Sequence, residues 1–584
     1  MPSLIYSVGY LKGQFSRRRI MLLNVLGFLF IVSMAAVVTA GNTIFFLIVW
    51  ELMSLLSFFL VIFEHEHEQS VTAAKIYIVM THIGTAFIIA AFMLMYRYSG
   101  SFAFETIRSL SPAMPQPIRN LVFIFLLVGF GTKAGIVPLH IWLPYAHPQA
   151  PSHISSMMSG VMIKTAIYGI IRFIIYILGV NVGWWGILIL ALAVISCLVG
   201  VIYALMEHDL KKLLAYHSVE NIGIILLGVG MSMLFYSMNL RYLAVFSLIA
   251  GLYHLINHAI FKGLLFLGAG SVYKAIGTRD MEKMGGLIKT MPWTAGFFLL
   301  GAMAISGLPP FNGFVSEWLT LQAFFLGGLN SSGNLKLFLG LGAAALAFTG
   351  GLAAACFVKA FGITFLALPR SKQAQQAKEA PVSMILAMGI LAVLVIIFGL
   401  AAVPIIKVLA LVAGYATSID IKDMTFSLNN FVLSLQPAQE AFLSPGLIAF
   451  GLLIFGAGAV AAYFLFNRPK VSRYKTWDCG YYKLDSRNEY TATGFSKPFR
   501  LAFSFFLFPY KRTQKIRESF YHVKSFSYET HTTPVFKKYF YEPLLGLVFK
   551  TAGIMRKIQP GSIHLYIGYI FLTVLSLIIF MGKF

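Results

Sequence analysis

Ionisable side chains interrupt long apolar stretches of this 584-residue sequence. A charge at the centre of a bilayer costs at least ~2.5–3.5 kcal/mol on insertion scales, so such residues usually mark an ion path. A set of this size predicts ion movement rather than a passive anchor. Its members are Glu51, His82, Lys133, Lys164, His254, His258, Lys262, Glu317 and Lys359.

The spacing of His254, His258 and Lys262 is i, i+4, i+8, which places all three on one face of a helix. One or two waters could link each pair across a helical turn. Imidazole exchanges protons near neutral pH. Burial favours the neutral form of lysine, and a nearby carboxylate favours its charged form. Moving the carboxylate therefore makes the lysine gain or lose a proton. This chemistry predicts a proton relay that needs no metal, flavin or nucleotide.

Some single residues have interpretations other than membership of a proton relay. Two histidines at i, i+4 could bind zinc or haem, but no third ligand is evident. Lys75 and Lys407 lie near the ends of apolar stretches, where a snorkelling side chain is favoured. The acidic and histidine-rich residues 64–68 follow a predicted span and are interpreted as a solvated turn. Asp209 precedes an apolar run and is a candidate helix cap.

Composition excludes a soluble fold. Hydrophobic residues make up 58% and charged residues 11% of the chain, against roughly 25% charged in soluble domains. The net charge is +24, and segment 467–562 contributes half of it, with 18 Lys/Arg against 6 Asp/Glu. Basic loops are typical of the cytoplasmic side of membrane proteins, and we therefore predict no nucleic-acid partner.

The three cysteines have no CxxC spacing, which argues against a zinc or iron–sulfur site in this chain. Cys197 and Cys356 lie in apolar runs and are predicted to be core thiols. Cys479 is predicted to be a lone loop thiol.

Apolar runs of about 20 residues predict an all-α, polytopic bundle of about thirteen spans. The spans lie near 20–40, 43–63, 73–96, 119–139, 154–179, 183–206, 212–235, 243–273, 292–327, 338–366, 382–413, 445–466 and 563–581.

Two of these spans contain glycine and proline where a continuous helix would not. We predict broken helices near 131–138 and near 308–313. Irregular backbone at membrane depth is tolerated where it is buried in protein or lines a water path. The breaks therefore point to the same path as the buried charges.

The basic residues also set orientation and domains. Short loops on the side of residues 12–19 carry thirteen Lys/Arg against five on the other side, which places that side in the cytoplasm. We predict a translocating bundle over 1–466, a basic cytoplasmic or interfacial segment over 467–562 and a transmembrane helix within 563–584.

Long motifs around these residues resemble the antiporter-like membrane subunits of complex I and group 4 hydrogenases. They are WELMSLLSFFLV around Glu51, GTKAGIVPLHIWLPYAHPQAPSHISSMMSGVMIKTAIYG around Lys133 and Lys164, HDLKKLLAYHSVENIGIILLG at 208–228, HLINHAIFKGLLFLGAGSV around Lys262 and LPPFNGFVSEW around Glu317. Within that family, AHPQAPSHISSMMSGVMIKT, LAYHSVENIGIILLG and the tail motifs WDCGYY, YTATGFSKPFR and HLYIGYIF resemble the branch formed by the hydrogenase-4 and formate hydrogenlyase membrane subunits.

The resemblance covers nearly the whole chain and implies roles. Glu51 would pair with Lys133, and Glu317 would be the exit-side charge. The intervening relay would consist of Lys164, His254, His258 and Lys262, while His82 and Lys359 are possible additions from the charge pattern alone. Members usually have about three helices before the segment matching SVGYLKG, so the implied fold lacks those first helices. A misassigned start, a separate subunit or a shortened form would each account for this.

The resemblance also implies partners and a location. The chain would be a proton-translocating subunit of a hydrogenase-4-like or complex I-like oxidoreductase in a prokaryotic inner membrane. It would have no redox centre of its own, and partner subunits would carry iron–sulfur clusters, with or without nickel–iron. The alternative is a subunit of a multisubunit cation/proton antiporter without a redox partner.

Overall fold

The computed structural model describes residues 1–421, 433–434, 442–443, 445–467, 477–481, 483–517, 519, 522–558 and 561–581. The chain divides into two compact units, Met1–Lys497 and Pro498–Phe584. The described residues of the first unit are mainly helical and include one short antiparallel pair, β1 (Leu433–Ser434) with β2 (Phe442–Leu443).

Nineteen of the described α-helices lie wholly within residues 1–497, and a twentieth extends past residue 497. They are α1 Pro2–Leu11, α2 Arg17–Thr39, α3 Thr43–Val61, α4 Glu68–Ser99, α5 Phe104–Leu110, α6 Gln116–Ala134, α7 Leu143–Gln149, α8 Ser152–Met157, α9 Ile163–Gly169, α10 Gly183–Met206, α11 Leu210–Ser237, α12 Arg241–Ile276, α13 Pro292–Ile305, α14 Asn312–Leu329, α15 Gly333–Phe365, α16 Lys372–Gln375, α17 Val382–Leu400, α18 Ala402–Thr417, α19 Pro445–Asn467 and α20 Ala492–Ala502. The π-helical segment Met158–Met162 joins α8 to α9, and a second one, Ile170–Leu178, continues α9, so that Ser152–Leu178 forms one span.

In the part of the chain that the structure describes, twelve helices are long and apolar enough to cross a membrane. Both predicted breaks are confirmed. α6 ends at Ala134 and α7 begins at Leu143, while α13 and α14 are separated by residues 306–311. The predicted span 292–327 is thus two shorter helices, which accounts for the difference from thirteen.

A third break lies inside the predicted span 382–413, which the prediction treated as continuous. α17 ends at Leu400 and α18 begins at Ala402. Pro404 lies in the first turn of α18, where its missing N–H disrupts no helical bond. At Gly399, a Cβ would lie 2.3 Å from the carbonyl oxygen of Pro310, so glycine lets this helix end touch the α13–α14 break.

The helix α11 occupies the centre of the first unit, where it is buried along its apolar stretch and packs on α10 and α12. Glycine permits these close contacts. A Cβ at Gly200 of α10 would lie 2.5 Å from the backbone nitrogen of Glu220, and one at Gly228 would lie 2.6 Å from the Cα of Gly251 in α12. Small residues at such crossings let helix backbones approach in a membrane. The polar side chains of α11 therefore face its neighbours directly.

The second unit contains more secondary structure than the terminal transmembrane helix that the sequence predicted. It comprises α21 (Ser504–Leu507), the antiparallel hairpin β3 (Tyr510–Arg517) with β4 (Val523–His531), α22 (Glu542–Ile558) and α23 (Ile563–Met581). β3 is exposed throughout, so it shows no inward and outward alternation for a sequence pattern to detect. The predicted terminal transmembrane helix corresponds to α23.

The three cysteines lie where the sequence predicted them. Cys197 and Cys356 are buried, and Cys479 is exposed in a turn.

Side-chain caps begin two helices that carry functional residues. Asp209 caps α11 as predicted, accepting hydrogen bonds from the backbone nitrogens of Lys211 (2.8 Å) and Lys212 (3.0 Å). At the start of α3, the side-chain oxygen of Asn42 accepts one from the backbone nitrogen of Phe45 at 2.8 Å.

We expect Asn42→Ala to lower the free energy of unfolding by about 1 kcal/mol, because it removes the α3 cap. Asn42→Asp keeps a capping oxygen and is the matched control. Thermal unfolding of the purified subunit in detergent measures both. Equal loss in the two variants would contradict the capping role.

Candidate functional site

Lys133 lies in the last turn of α6, where the helix stops at the first break. Gly135 adopts a left-handed conformation (φ +82°), and the indole nitrogen of Trp142 donates to the carbonyl of Thr132 at 2.7 Å. The broken end is therefore stabilised by a side chain rather than by further helix. This geometry holds Lys133 in the protein interior, 2% exposed.

The ammonium of Lys133 is bound by two hydroxyl groups. It donates to Ser54 at 2.9 Å and to Tyr77 at 2.7 Å, with the Trp50 ring 5.9 Å away. Ser54 lies three residues after Glu51 on α3, so the lysine binds one turn away from the carboxylate. The two charged groups interact electrostatically. The structure records no direct ion pair between them, although it describes both residues.

Glu51 instead approaches His82 of α4, with 3.5 Å between Oε2 of the carboxylate and Nε2 of the imidazole. The Glu51 side chain is 28% exposed and that of His82 is 51% exposed. The second carboxylate oxygen of Glu51 is buried and has no hydrogen-bond partner. Glu51 thus stands between an exposed imidazole and the hydroxyl groups that hold Lys133.

His254, His258 and Lys262 lie on the uninterrupted helix α12, as their spacing predicted, and each is fully buried. His254 bridges two helices. Its Nδ1 is 2.9 Å from the hydroxyl of Ser316 on α14, and its Nε2 is 3.1 Å from the side-chain oxygen of Asn221 on α11. A continuous hydrogen-bonded link therefore crosses α11, α12 and α14.

The other two members of that face have no such partners. Both ring nitrogens of His258 and the ammonium nitrogen of Lys262 are buried without a hydrogen bond. Buried polar groups are nearly always satisfied in native proteins, so each such case needs an explanation. Water or a transferring proton between these groups would satisfy them.

Glu317 follows the second break on α14, directly after Ser316. Its Oε2 packs against Gly307, where a Cβ would lie 2.5 Å away and φ is +62°. Only glycine fits this turn beside the carboxylate. The break therefore places an acidic group next to the His254 link.

Lys164 is buried in α9, just after the π-helical segment Met158–Met162. Its ammonium donates to the carbonyl of Ser159, and the Ser159 hydroxyl lies 2.7 Å from that of Ser218 on α11. It also lines a mainly apolar cavity of about 350 Å³ with Thr165 and Tyr168. Lys164 thus approaches α11 from the side of the first break.

Lys359 lies apart from the His254 link. Its ammonium donates to the carbonyls of Leu205 at 2.6 Å and Glu207 at 2.8 Å, at the end of α10. The Ser496 hydroxyl is 3.4 Å away. A cation on the last carbonyls of a helix stabilises that helix end. The geometry is that of a residue that holds α10 in place.

Sequence reasoning missed a buried pair on α11. The Nδ1 of His217 and the Oε2 of Glu220 are hydrogen-bonded, and both side chains are at most 1% exposed. The amide nitrogen of Asn221 donates to the carbonyl of His217 at 2.7 Å, which joins the pair to the His254 link. Glu220 interacts electrostatically with Lys262 and Glu317. Glu220 lies inside the predicted span 212–235. The criterion that selected Glu51, an ionisable side chain within an apolar run, therefore applied to Glu220 as well.

The exposed residues 65–67 lie in the turn between α3 and α4, as predicted for the acidic stretch. Among the described residues, no group of three or more His, Cys, Asp or Glu side chains is arranged to hold a metal ion.

The fold and its buried charges define an integral, multi-pass membrane subunit. Residues 40–340 match the family described as NADH:quinone oxidoreductase/Mrp antiporter, TM. Hydrogenase-4 component B of Escherichia coli (strain K12) is 38% identical over 563 residues, covering 94% of this chain and 82% of the relative. Formate hydrogenlyase subunit 3 of the same strain is 37% identical over 475 residues, covering 80% and 72%.

A solved structure, that of the membrane-bound sulfane sulfur reductase, an archaeal respiratory membrane complex, shares the fold. Its matching chain superposes with a TM-score of 0.77 at 23% identity, covering 99% of this chain and 87% of that one. The chain belongs to the NADH:quinone oxidoreductase/Mrp antiporter family. It is an ion-translocating membrane subunit of the complex I-like type, which confirms the resemblance inferred from the motifs.

Proposed function

We propose that this subunit translocates protons, driven by electron transfer in partner subunits of a hydrogenase-4-like complex. The observation that carries the proposal is the hydrogen-bonded link through Asn221, His254 and Ser316, flanked by unsatisfied His258 and Lys262. Imidazole and buried lysine both change protonation in response to nearby charge.

The relay runs from the first break to the second. A charge change near Glu51 shifts the Lys133 ammonium between its two hydroxyl partners and the carboxylate. Lys133 then exchanges charge with the interior groups Lys164, Lys262, His258 and His254. Glu317, beside Ser316 at the second break, releases the proton. His82 tunes Glu51, and Lys359 supports the relay by holding the end of α10.

The relatives support the proposed assembly. These include a hydrogenase-4 component and a formate hydrogenlyase subunit, so the proposed partners carry iron–sulfur clusters, with or without nickel–iron. Residues 1–466 form the translocating bundle, the basic segment 467–562 faces the cytoplasm, 563–584 contains a transmembrane helix, and the membrane is the prokaryotic inner membrane. The alternative, an antiporter subunit without a redox partner, is retained because the family description includes such antiporters.

Gentle detergent purification of the tagged chain from its native membrane distinguishes the two functions. Mass spectrometry should find hydrogenase-like large and small subunits with iron–sulfur proteins. Finding small antiporter-type subunits without redox proteins would contradict translocation driven by electron transfer and would favour an antiporter subunit.

A further inference from the structure

A polar cavity of about 540 Å³ opens beside the turn between α3 and α4. Glu64 and His67 of that turn, together with Glu68 at the start of α4, line one wall. Tyr10, Lys211 and Arg279 line other parts of it. By the distribution of basic loop residues, this face is the cytoplasmic one.

Lys211 connects the cavity to the protein interior. Its side chain is 3% exposed, and its ammonium donates to the carbonyl of Ala150 at 2.9 Å. Ala150 lies in the short connection between α7 and α8, three residues from His147 and three from His153. A cavity-lining cation thus binds the connection that carries His147 and His153.

Both histidines are buried, and neither has a role in the proposed relay. His147 is fully buried with both ring nitrogens unpartnered, and His153 is 2% exposed with an unpartnered Nδ1. The ring of His153 lies 5.8 Å from that of Tyr10, which lines the cavity. An imidazole with two unsatisfied nitrogens can accept a proton on one side and release it on the other.

His147 also lies next to the relay. Its ring is 5.9 Å from that of Phe266, which follows Lys262 by one turn on α12. On its other side, the ring of Trp142 is 5.8 Å away. His147 interacts electrostatically with Lys211, Lys164 and Lys262, and His153 does so with Lys211. This histidine is therefore coupled electrostatically both to the cavity cation and to the two relay lysines.

We propose that the cavity and the series Lys211, His153 and His147 form the path by which cytoplasmic protons reach Lys262 and Lys164. The Lys211 ammonium gives a proton, through bridging water, to His153 and His147, and from there the proton reaches a relay lysine. A hydronium ion in the cavity then protonates the neutral Lys211 amine and becomes water. Each transfer breaks one N–H or O–H bond and forms another, and no group is oxidised or reduced. This path rests on the proposed function.

The test uses the intact complex in vesicles, with electron transfer and proton uptake measured separately. We expect Lys211→Met and His147→Phe each to lower proton uptake about tenfold or more, since a positioned proton carrier typically contributes more than that. Lys212→Met is the matched control, because Lys212 is the next residue and pairs with Glu207 at 2.8 Å. Proton uptake by the Lys212→Met complex should equal that of the wild type.

A second measurement avoids any folding defect. In a Cys479→Ser background, Gln69→Cys places a thiol in the cavity wall at the start of α4, whereas His65→Cys places one on the preceding turn, outside the cavity. A bulky, membrane-impermeant maleimide should reduce uptake severalfold in the first variant and leave the second unchanged.

The outcomes separate the two proposals. Wild-type vesicles that transfer electrons without moving protons would overturn the proposed function and this path with it. Wild-type translocation together with unchanged uptake in Lys211→Met, His147→Phe and fully modified Gln69→Cys would overturn the path alone.

Discussion

Lys262→Met is expected to stop proton translocation while the subunit still assembles. The lysine is fully buried at the centre of α12, with no hydrogen bond to its ammonium nitrogen. Methionine has a similar length and no charge, so the helix packing survives while the carrier is lost. We expect the translocation rate to fall about 10²-fold or more, the loss typical of removing a positioned proton-transfer group.

The matched control is Lys407→Met. Lys407 is an exposed lysine on α18, and the same substitution there removes a charge without touching the relay. Proton uptake into vesicles measures both, with co-purification of partner subunits as the check on assembly. Full translocation by an assembled Lys262→Met complex would contradict the relay.

Lys133→Met is expected to have an effect of similar size at the other end of the relay. It removes the cation that Ser54 and Tyr77 hold one turn from Glu51. Those hydroxyls keep partners in the variant, because Ser57 lies 2.5 Å from the Tyr77 oxygen and Ser54 donates to the Trp50 carbonyl. The loss therefore reflects the missing charge rather than unsatisfied neighbours.

Tyr77→Phe provides a graded test of the same site. It removes one of the two hydroxyl partners and keeps Lys133, so we expect partial loss of translocation and a shifted pH profile. Lys75→Met, an exposed change on the same helix α4, is the control. A Tyr77→Phe complex with the wild-type rate and pH profile would contradict the positioning role of the hydroxyl.

The buried charges could be predicted because membrane burial makes them conspicuous. Lys133, Lys164, Lys262 and the histidines of α12 stood out in apolar runs, and all lie in the protein interior. The second break was equally visible, since adjacent prolines and a glycine cannot continue a helix. The residue types alone therefore indicate both the buried charges and the position of the second helix break.

Hydrogen-bond partners could not be predicted in this way. Ser54 and Tyr77 carry no charge, so nothing in their residue types indicated that they, and not Glu51 directly, bind Lys133. The pairing of His254 with Asn221 and Ser316 depends on how three helices cross. Such contacts are set by tertiary packing rather than by sequence spacing.

Two omissions had signals that the sequence contained. Glu220 lies inside an apolar run, and the criterion applied to Glu51 would have selected it. Gly399 and Pro404 marked the break between α17 and α18. The histidines His147 and His153 lie in a proline-rich stretch, where no helical period indicated their orientation.

If electron transfer in partner subunits drives protons through this chain, then removing Lys262 must uncouple the two processes. The number of protons translocated per electron transferred tests this in vesicles that contain the complex with either the wild-type subunit or Lys262→Met. This ratio is insensitive to the amount of complex assembled. We expect a finite ratio in the wild type, abolished by an uncoupler, and a ratio near zero in the variant. An equal ratio in the two complexes would show that electron transfer does not drive protons through Lys262.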